Sequence, residues 1–396
     1  MRYYYFIFLT ICILLSSCQT KVSKESNSDY YTIEFEQYVE KEQPMLLSEI
    51  ADSIEYLELK TPEDIIISNI TNIIPLNEDL VICASDGSIR SEVYQFSRDG
   101  YFVKRIGGIG RGLGEYIGAR DIEIDNENKE IIIMDFDKIY FYDYFGKFLR
   151  SIKSSSSKIG ISDSILWINK LPKVEEKYIA TAISNSENGD TVATISNPFY
   201  ETITSTSGSH NFSSFPAFYH KNGLLFFKPN ESYDTLWQIS GINKELYAVI
   251  NMGKYKLPIE NESWYSRLEF EKYGHKYWGI NIIAEDDCYF FLRSATRNPL
   301  KLRKTNYIIY DKKEKKGFTA KDDKDLKITD DIMGGPNVWP HWITEKYYIT
   351  TIKQDELLEK INSGDYSPTE PLKSQLLSIK ENPNLILILC LRKNAL

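Results

Sequence analysis

Histidine and cysteine are scarce in this chain, which has 396 residues but only four His and five Cys. The sequence has no CxxC, HxH or HExxH pair, so it carries no signature of a zinc site. It also has no Gly-x-Ser-x-Gly elbow, the usual sequence signal of a serine hydrolase. We expect no cofactor and identify no catalytic residue. The three cysteines beyond the N-terminal region, Cys83, Cys288 and Cys390, are expected to be small buried apolar residues.

Positive charge is in the minority as well. The chain has 47 Lys and Arg against 56 Asp and Glu, a formal net charge of -9. Nucleic-acid-binding domains are typically basic, with Lys and Arg clustered on one face. The charge balance therefore predicts no nucleic-acid partner.

Only one long apolar run occurs, at residues 3–15. Its thirteen residues are too few to span a bilayer comfortably, since a transmembrane helix needs about 20. A short apolar run between a basic residue and small residues is typical of a secretory signal peptide. We assign residues 1–17 to a signal peptide, which predicts export.

Residues 15–18, Leu-Ser-Ser-Cys, resemble the lipobox of bacterial lipoproteins, whose cysteine is acylated and becomes the new N-terminus. The resemblance implies that Cys18 carries acyl chains such as palmitate, which hold the protein to a membrane. Gln19 follows where an Asp would favour inner-membrane retention, so we expect an outer-membrane lipoprotein of the cell envelope. Residues 18–43 are assigned to the lipidated cysteine and a flexible tether. An ordinary signal peptide with a chance cysteine is the alternative.

Two segments 46 residues apart share one pattern: an alternating strand, a turn that ends in glycine, and a second strand that begins with an aromatic residue. They are residues 93–103 and 139–149, aligned on Gly100 and Gly146. This pattern predicts β-hairpins, because glycine adopts positive φ without steric cost. Residues 119–136 between them add another strand-turn-strand pattern. Four short strands in every 40 to 50 residues or so are typical of a β-propeller blade, and the chain after residue 43 has room for about six or seven.

Helical periodicity is almost absent outside residues 355–381. That segment predicts two short helices separated by Gly and Pro, as an insertion near the C-terminus. The rest of the chain predicts an all-β fold. A pair of β-sandwiches is the alternative architecture, and the 46-residue repeat favours the propeller.

Several further motifs resemble, in order, those of a family of six-bladed β-propeller lipoproteins from Gram-negative anaerobes, whose blades are related to NHL-type repeats. The matching segments are LSEIADSIEYLEL at residues 47–59, Gly-Glu-Tyr at 114–116, YDTLW at 233–237, DDIMGGP at 330–336 and Asn-Pro at 382–383. The family usually has Gly-Pro before its Glu, whereas Leu113-Gly114 stands here. The resemblance implies six four-stranded blades over residues 44–396, closed by pairing an N-terminal strand with C-terminal strands. It implies no catalytic residues, because the activity of the family is largely undefined.

Residues 105–116 contain five glycines in twelve positions. A dinucleotide fingerprint requires Gly-x-Gly-x-x-Gly before a helix, and a Walker loop requires a following Lys-Ser or Lys-Thr; neither is present. We therefore predict that this loop crosses between blades and does not cradle a phosphate. Loops at the mouth of a propeller channel often bind ligands. The candidate ligand-binding residues in this loop are Arg105, Arg111, Glu115 and Tyr116.

A second candidate ligand-binding loop contains Trp339, His341 and Trp342. Exposed aromatic rings would stack on a sugar or a peptide, and packing in a blade core is the alternative. Carboxylates cluster near the turns of one blade, at Asp121, Asp125, Asp135 and Asp137. They lack the EF-hand spacing, so we interpret them as turn-forming residues.

These observations favour a ligand-binding or scaffolding module that is anchored to the membrane by lipid. The expected partners are glycans, peptides or envelope proteins, bound by the axial loops. The alternative function is a metal-dependent enzyme, since related propellers include lactonases and lyases that hold a divalent metal near the central axis. The sequence does not support such a metal.

The lipobox gives a direct prediction. Substituting Cys18→Ala removes the only thiol that the lipobox offers for acylation, so the variant should incorporate no labelled palmitate and should leave the membrane fraction. Cys12→Ala, in the signal peptide, is the matched control and should remain labelled. Membrane-bound, labelled C18A protein would contradict the assignment.

Overall fold

The computed structural model describes residues 30–154, 158–169, 177–184, 189–197, 217–229, 233–258, 272–297, 303–322, 326–378 and 384–393. The assigned signal peptide, Cys18 and the motif residues 382–383 lie outside these ranges. Within them, no helix is long and apolar enough to cross a membrane.

The described chain begins with short elements that precede the blades. They are β1 (Tyr31–Glu34), α1 (Phe35–Tyr38), β2 (Glu42–Gln43), a 3₁₀ turn (Leu47–Glu49) and β3 (Ala51–Glu58).

Six sheets with four antiparallel strands each follow around a ring. Blade 1 contains β4 (Asn69–Leu76), β5 (Asp79–Ser85), β6 (Glu92–Phe96) and β7 (Phe102–Ile106). Blade 2 contains β8 (Asp121–Asp125), β9 (Glu130–Met134), β10 (Lys138–Asp143) and β11 (Phe148–Lys153). Blade 3 contains β12 (Lys158–Ser162), β13 (Ile165–Asn169), β14 (Tyr178–Ile183) and β15 (Thr191–Ser196).

The remaining blades complete the ring. Blade 4 contains β16 (Ala217–Lys221), β17 (Leu224–Lys228), β18 (Thr235–Ser240) and β19 (Asn243–Asn251). Blade 5 contains β20 (Trp278–Glu285), β21 (Tyr289–Thr296), β22 (Thr305–Asp311) and β23 (Lys316–Ala320). Blade 6 contains β24 (Trp342–Ile343), β25 (Tyr347–Lys353), β26 (Leu385–Arg392) and the N-terminal β3. The first strands of successive blades contact one another from β4 to β24, which places them around the axis. The predicted six-bladed propeller is confirmed.

Blade 6 is built from both parts of the chain. Strand β3 pairs antiparallel with β26, from Glu58 opposite Ile386 to Ala51 opposite Arg392. The N-terminal strand therefore closes the ring, as the family resemblance implies. Strand β3 thereby covers the outer edge of β26, which removes that edge from aggregation.

Residues 31–43 belong to the propeller, which corrects the predicted extent of the tether. Strand β1 runs parallel to β19, with Tyr31 opposite Ala248, and β2 runs parallel to β23. Ile33 and Phe35 are fully buried in the apolar core shared by blades 4 and 5. The segment is ordered because it pairs with two outer strand edges and buries apolar side chains.

Apolar side chains fill the spaces between neighbouring blades. Between blades 1 and 2, for example, Val81 and Cys83 lie in one buried cluster with Ile122 and Ile131. Each strand sends alternate side chains to opposite faces of its sheet, so each blade packs against two neighbours. The cores hold the loops at the ends of the strands in fixed positions.

The two hairpins of the 46-residue repeat have the predicted geometry. Gly100 and Gly146 lie in the turns between the third and fourth strands of blades 1 and 2, with φ values of +78° and +84°. Both values fall in the left-handed region that favours glycine. The repeated glycine therefore marks the same turn in two successive blades.

The predicted helical insertion is confirmed between β25 and β26. It consists of α2 (Gln354–Asn362) and α3 (Glu370–Ser378). Gly364 and Pro368 lie between the two helices. Leu357 and Leu372 are fully buried against the core of blade 6.

Two of the three cysteine predictions are confirmed. Cys83 and Cys390 are buried in strands, whereas Cys288 is exposed. The prediction for Cys288 is wrong because this residue lies in the tight turn after β20, where the Asp286 carboxylate accepts a hydrogen bond from its backbone amide. A turn position at the surface does not bury its side chain.

Gly100 provides a test of the ring closure. A Cβ at this position would lie 2.1 Å from the Glu58 carbonyl oxygen at the end of β3, whereas a Cβ at Gly364, with φ +80°, would meet nothing within 4 Å. Gly364→Ala should cost about 1 kcal/mol of unfolding free energy from positive φ alone, and Gly100→Ala about 3 kcal/mol because the clash adds to it. Urea denaturation measures both, and equal losses would contradict the close approach.

Candidate functional site

The ring has two faces that differ in their loops. The lower face carries the turns that join the first to the second strand of each blade and, in blades 1 to 5, the third to the fourth strand. The upper face carries the crossings between blades and the connections between second and third strands. The upper face therefore holds the glycine loop (residues 107–120), the helices α2 and α3, and the segment 321–341.

The glycine loop connects β7 to β8, so it crosses between blades as predicted. Several of its amides are engaged within the loop: the Gly110 amide donates to the Tyr116 carbonyl at 3.0 Å, and the Tyr116 amide donates to the Gly108 carbonyl at 2.9 Å. The Glu115 carboxylate accepts the Gly112 amide at 2.7 Å. These three donors are satisfied internally and are not available to a phosphate.

A buried carboxylate fixes the end of the loop. Asp135 is fully buried and accepts hydrogen bonds from the amides of Ile117 at 2.8 Å, Gly118 at 3.3 Å and Phe136 at 2.6 Å. This residue therefore forms a turn, as the sequence predicts, and it also joins the glycine loop to the β9–β10 turn. Hydrogen bonds to a charged acceptor are among the strong ones.

The four candidate residues in and beside the glycine loop occupy different environments, and one of them, Arg105, lies in β7. Tyr116 is fully buried; its hydroxyl donates to the Ile106 carbonyl and accepts the Val93 amide, both at 3.0 Å. It positions the loop and is not available to a ligand, which corrects its assignment as a contact. Arg105 is exposed and pairs with Glu92 at 3.1 Å. Arg111 and Glu115 are exposed.

Exposed apolar side chains surround the loop. The backbones of Ser91 and Ala119 form an isolated β-bridge, and a Cβ at Gly118 would lie 3.3 Å from the Arg90 Cα. The β5–β6 loop and the glycine loop therefore lie side by side. Asp135 joins the β9–β10 turn to them. We call the exposed apolar residues of these three segments the upper rim: Ile89 (92% exposed), Ile109 (39%), Leu113 (90%), Ile117 (42%) and Phe136 (44%).

Arginines accompany the upper rim. Arg90 and Arg111 are exposed, and the Arg120 guanidinium lies 5.1 Å from the centroid of the Phe136 ring. Exposed acidic side chains lie in the same segments, at Asp86, Glu115 and Asp137. The surface therefore combines apolar side chains with charges of both signs.

The second candidate loop does not form the predicted aromatic platform. Trp339 is 1% exposed and packs edge-on against Phe291 and Tyr307, so it belongs to the core between blades 5 and 6. Trp342 is half-buried and packs against the core shared by blades 6 and 1. The alternative of core packing therefore applies to Trp339.

His341, which lies between these two tryptophans in sequence, is half-buried, and its Nδ1 lies 3.2 Å from the Thr350 hydroxyl. Burial, together with the nearby charges of Arg293 and Lys327, lowers the pKa of His341 to about 4. The imidazole is therefore neutral at neutral pH.

The axis carries charged pairs that the sequence analysis did not identify. Asp121 of β8 pairs with Lys158 of β12 at 3.0 Å and accepts the Asn72 amide at 3.1 Å. Two residues further along β8, Glu123 lies 3.2 Å from Nε2 of His220. Burial by itself would lower the pKa of His220, but the Glu123 carboxylate outweighs this effect and raises it. The alternating sequence DIEID at residues 121–125 could have indicated these axial carboxylates, since every second residue of an inner strand faces the same way.

A buried carboxylate on the lower face is already satisfied. Glu285 accepts hydrogen bonds from Tyr219 at 2.5 Å, Lys221 at 3.1 Å and Lys312 at 2.5 Å, and also from Tyr247. These groups join blades 4 and 5. A carboxylate with this many donors is a structural element and has no capacity left for a ligand.

Among the residues that the structure describes, no three His, Cys, Asp or Glu side chains lie close enough together to hold a metal ion. The axial carboxylates instead face Lys158 and His220.

The architecture defines a six-bladed β-propeller with a loop-rich upper face. A family model described as a domain of unknown function, DUF4934, matches residues 30–390, and the chain belongs to this family. No curated protein matches the chain.

Two solved structures are similar in fold. A protein of Bacteroides fragilis NCTC 9343 that is named as an exported protein superposes with a TM-score of 0.71 at 18% identity, over 92% of this chain and 100% of that chain. A member of the DUF4221 family from Bacteroides vulgatus ATCC 8482 superposes with a TM-score of 0.50 at 12% identity, over 87% of this chain and 97% of that chain. At these identities the similarity concerns the fold.

The role of Asp135 can be tested by substitution. Asp135→Asn removes the charge and places an amide group, which is a donor or a weaker acceptor, opposite three backbone amides. It should therefore lower the free energy of unfolding by about 1–3 kcal/mol and increase hydrogen exchange in the glycine loop. The matched control is Asp137→Asn, an exposed position in the same turn, which should change little. Hydrogen exchange of residues 107–120 measures the effect. Unchanged protection in D135N would show that the carboxylate does not hold the loop.

Proposed function

We propose that this protein is an exported, lipid-anchored propeller that binds a partner through the axial loops of its upper face. The observation that carries the proposal is the upper rim, where Ile89 and Leu113 are each at least 90% exposed on a hydrogen-bonded framework. Exposed apolar side chains that cluster beside charged residues are typical of protein-interaction sites.

The chemistry of the rim favours a peptide or protein segment over a glycan. Trp339, the indole that was best suited to sugar stacking, lies in the core. The rim instead offers aliphatic side chains with Arg90 and Arg111 beside them. Such a surface complements a partner segment that carries apolar side chains. We therefore place an envelope protein or an exported peptide first among the partners.

The metal-dependent enzyme has less support. The axial carboxylates Asp121 and Glu123 are engaged by Lys158 and His220, and the described residues contain no cluster of metal-ligating side chains. Nothing in the geometry favours turnover near the axis over binding at the loops.

The location of the protein belongs to the same proposal. A lipobox-like segment ending at Cys18 supports acylation in the cell envelope, and Gln19 supports the outer membrane. The similarity to a Bacteroides protein named as exported agrees with export. Kinship of the blades with NHL-type repeats is part of the proposal and rests on the sequence resemblance.

The upper rim can be tested in the native envelope. Leu113→Glu places a carboxylate in the rim and should abolish cross-linking of the full lipid-anchored chain to its partner, because a charge would have to be desolvated in the contact. Phe145→Glu is the matched control: Phe145 is 86% exposed, but lies in the β10–β11 turn of the lower face. Cross-linking followed by quantitative mass spectrometry compares the two variants with the wild type. An identical set of cross-linked proteins for wild type and L113E would refute the rim as the binding surface.

A further inference from the structure

A second group of upper-face residues lies between blades 5 and 6, apart from the upper rim. Arg293 stands on β21 opposite Tyr307 of β22, so the two side chains share one face of the sheet. The Arg293 side chain is half-buried, and its buried Nε has no hydrogen-bond partner among the described residues. An arginine that is partly removed from water without a partner retains an uncompensated desolvation cost.

Lys327 brings a second cation to the same place. Its Nζ lies 5.6 Å from the centroid of the Tyr307 ring. The Lys327 backbone has a φ of +89°, which is unusual for a residue with a side chain. Strained backbone of this kind persists where the surrounding structure enforces it, and it concentrates at functional sites.

Trp339 supplies an unpaired donor. Its indole packs against Tyr307, with ring centroids 4.9 Å apart, and against Phe291, which lies two residues before Arg293 on β21. The buried Nε1 of Trp339 has no hydrogen-bond partner among the described residues. Arg293, Lys327 and Trp339 thus converge on Tyr307, and each can donate a hydrogen bond.

The carboxylates of the adjacent segment have other roles. Asp322 accepts hydrogen bonds from Thr329 at 2.8 Å and Asn337 at 3.2 Å. Asp330 accepts the amides of Ile332, Met333 and Gly335 at 2.9 to 3.0 Å. Neither forms an ion pair with Arg293 or Lys327 in the described part of the chain. The neutral imidazole of His341 adds no charge to the group.

We propose that the group of residues around Tyr307, between blades 5 and 6, binds an oxyanion of a ligand, held by Arg293, Lys327 and the indole N–H of Trp339. The ligand group is a carboxylate, sulfate or phosphate, because each offers several acceptor oxygens to two cations and one N–H donor. Charge-assisted hydrogen bonds of this kind are short and strong. This inference goes beyond the proposed partner binding and does not depend on it.

The test uses the mature chain and three separate probes: sodium acetate, sulfate and phosphate, each compared with chloride at equal ionic strength. Calorimetry should show one site for at least one probe. The Nε1–H resonance of Trp339, assigned through its loss in Trp339→Phe, should shift with the same saturation curve. The probe with the lowest Kd identifies the oxyanion class.

Two substitutions separate binding from folding. Arg293→Gln and Lys327→Gln should each weaken binding about tenfold or more, since each removes one charge-assisted contact. Lys147→Gln, an exposed lysine in a lower-face turn, removes the same charge and should bind as the wild type does. The pair of site variants keeps the test informative if one of them does not fold.

Two results would overturn the proposal. One is the absence of saturable binding for all three probes. The other is binding of equal strength in wild type, R293Q, K327Q and K147Q, which would reflect general screening of charge. Leu113→Glu should leave oxyanion binding unchanged, so failure at the Tyr307 group and failure at the upper rim are distinguishable.

Discussion

The pairing of β3 with β26 is the constraint on which the other features depend. It joins residues that are more than 300 positions apart in sequence, such as Tyr56 and Ile388, in a single ladder. Neighbouring residues reinforce it: the Asn384 side chain accepts the Ile67 amide at 2.6 Å and donates to the Leu59 carbonyl at 3.2 Å. Without this closure, blades 6 and 1 would present free edges, and the loops of the upper face would have no fixed relative positions.

Closure also explains why the upper face can hold irregular loops in defined shapes. The glycine loop has few side chains to pack, so its shape comes from hydrogen bonds to Glu115 and Asp135. Asp135 directly follows β9 and is held by the closed ring of sheets, whereas Glu115 belongs to the loop itself. A loop that is ordered before binding loses less conformational entropy when a partner arrives. The exposed apolar side chains on it are therefore presented in a fixed arrangement.

Local patterns predicted much of the fold. The turns at Gly100 and Gly146 could be predicted because they follow from the conformational preferences of glycine and flanking strands, and the blades recur at a similar period. The strands β1 and β2 could not be predicted, since no local sequence pattern near Tyr31 or Ala248 indicates that the two residues pair in parallel strands. The family resemblance, and not periodicity, fixed the number of blades at six.

The candidate site was less predictable. The sequence pointed to the glycine loop, but it did not distinguish Tyr116, which is buried, from the exposed Leu113 beside it. A cluster such as Trp339 and His341 was visible as a local group of residues. Their position relative to Arg293 could not be predicted, because it depends on how blades 5 and 6 pack. Tertiary packing decides which side chains are buried in a core, and a single sequence does not specify that packing directly.

The direction of β1 has a consequence for the lipid anchor proposed at Cys18. Strand β1 runs parallel to β19, and β19 runs from the lower face toward the upper face, so the chain enters β1 from the lower side. Eleven residues lie between Cys18 and residue 30, and such a segment reaches about 40 Å when fully extended. If Cys18 is acylated as proposed, this segment would join the lipid to the lower side of the propeller. The glycine loop, Arg293 and Lys327 would then lie toward the opposite face.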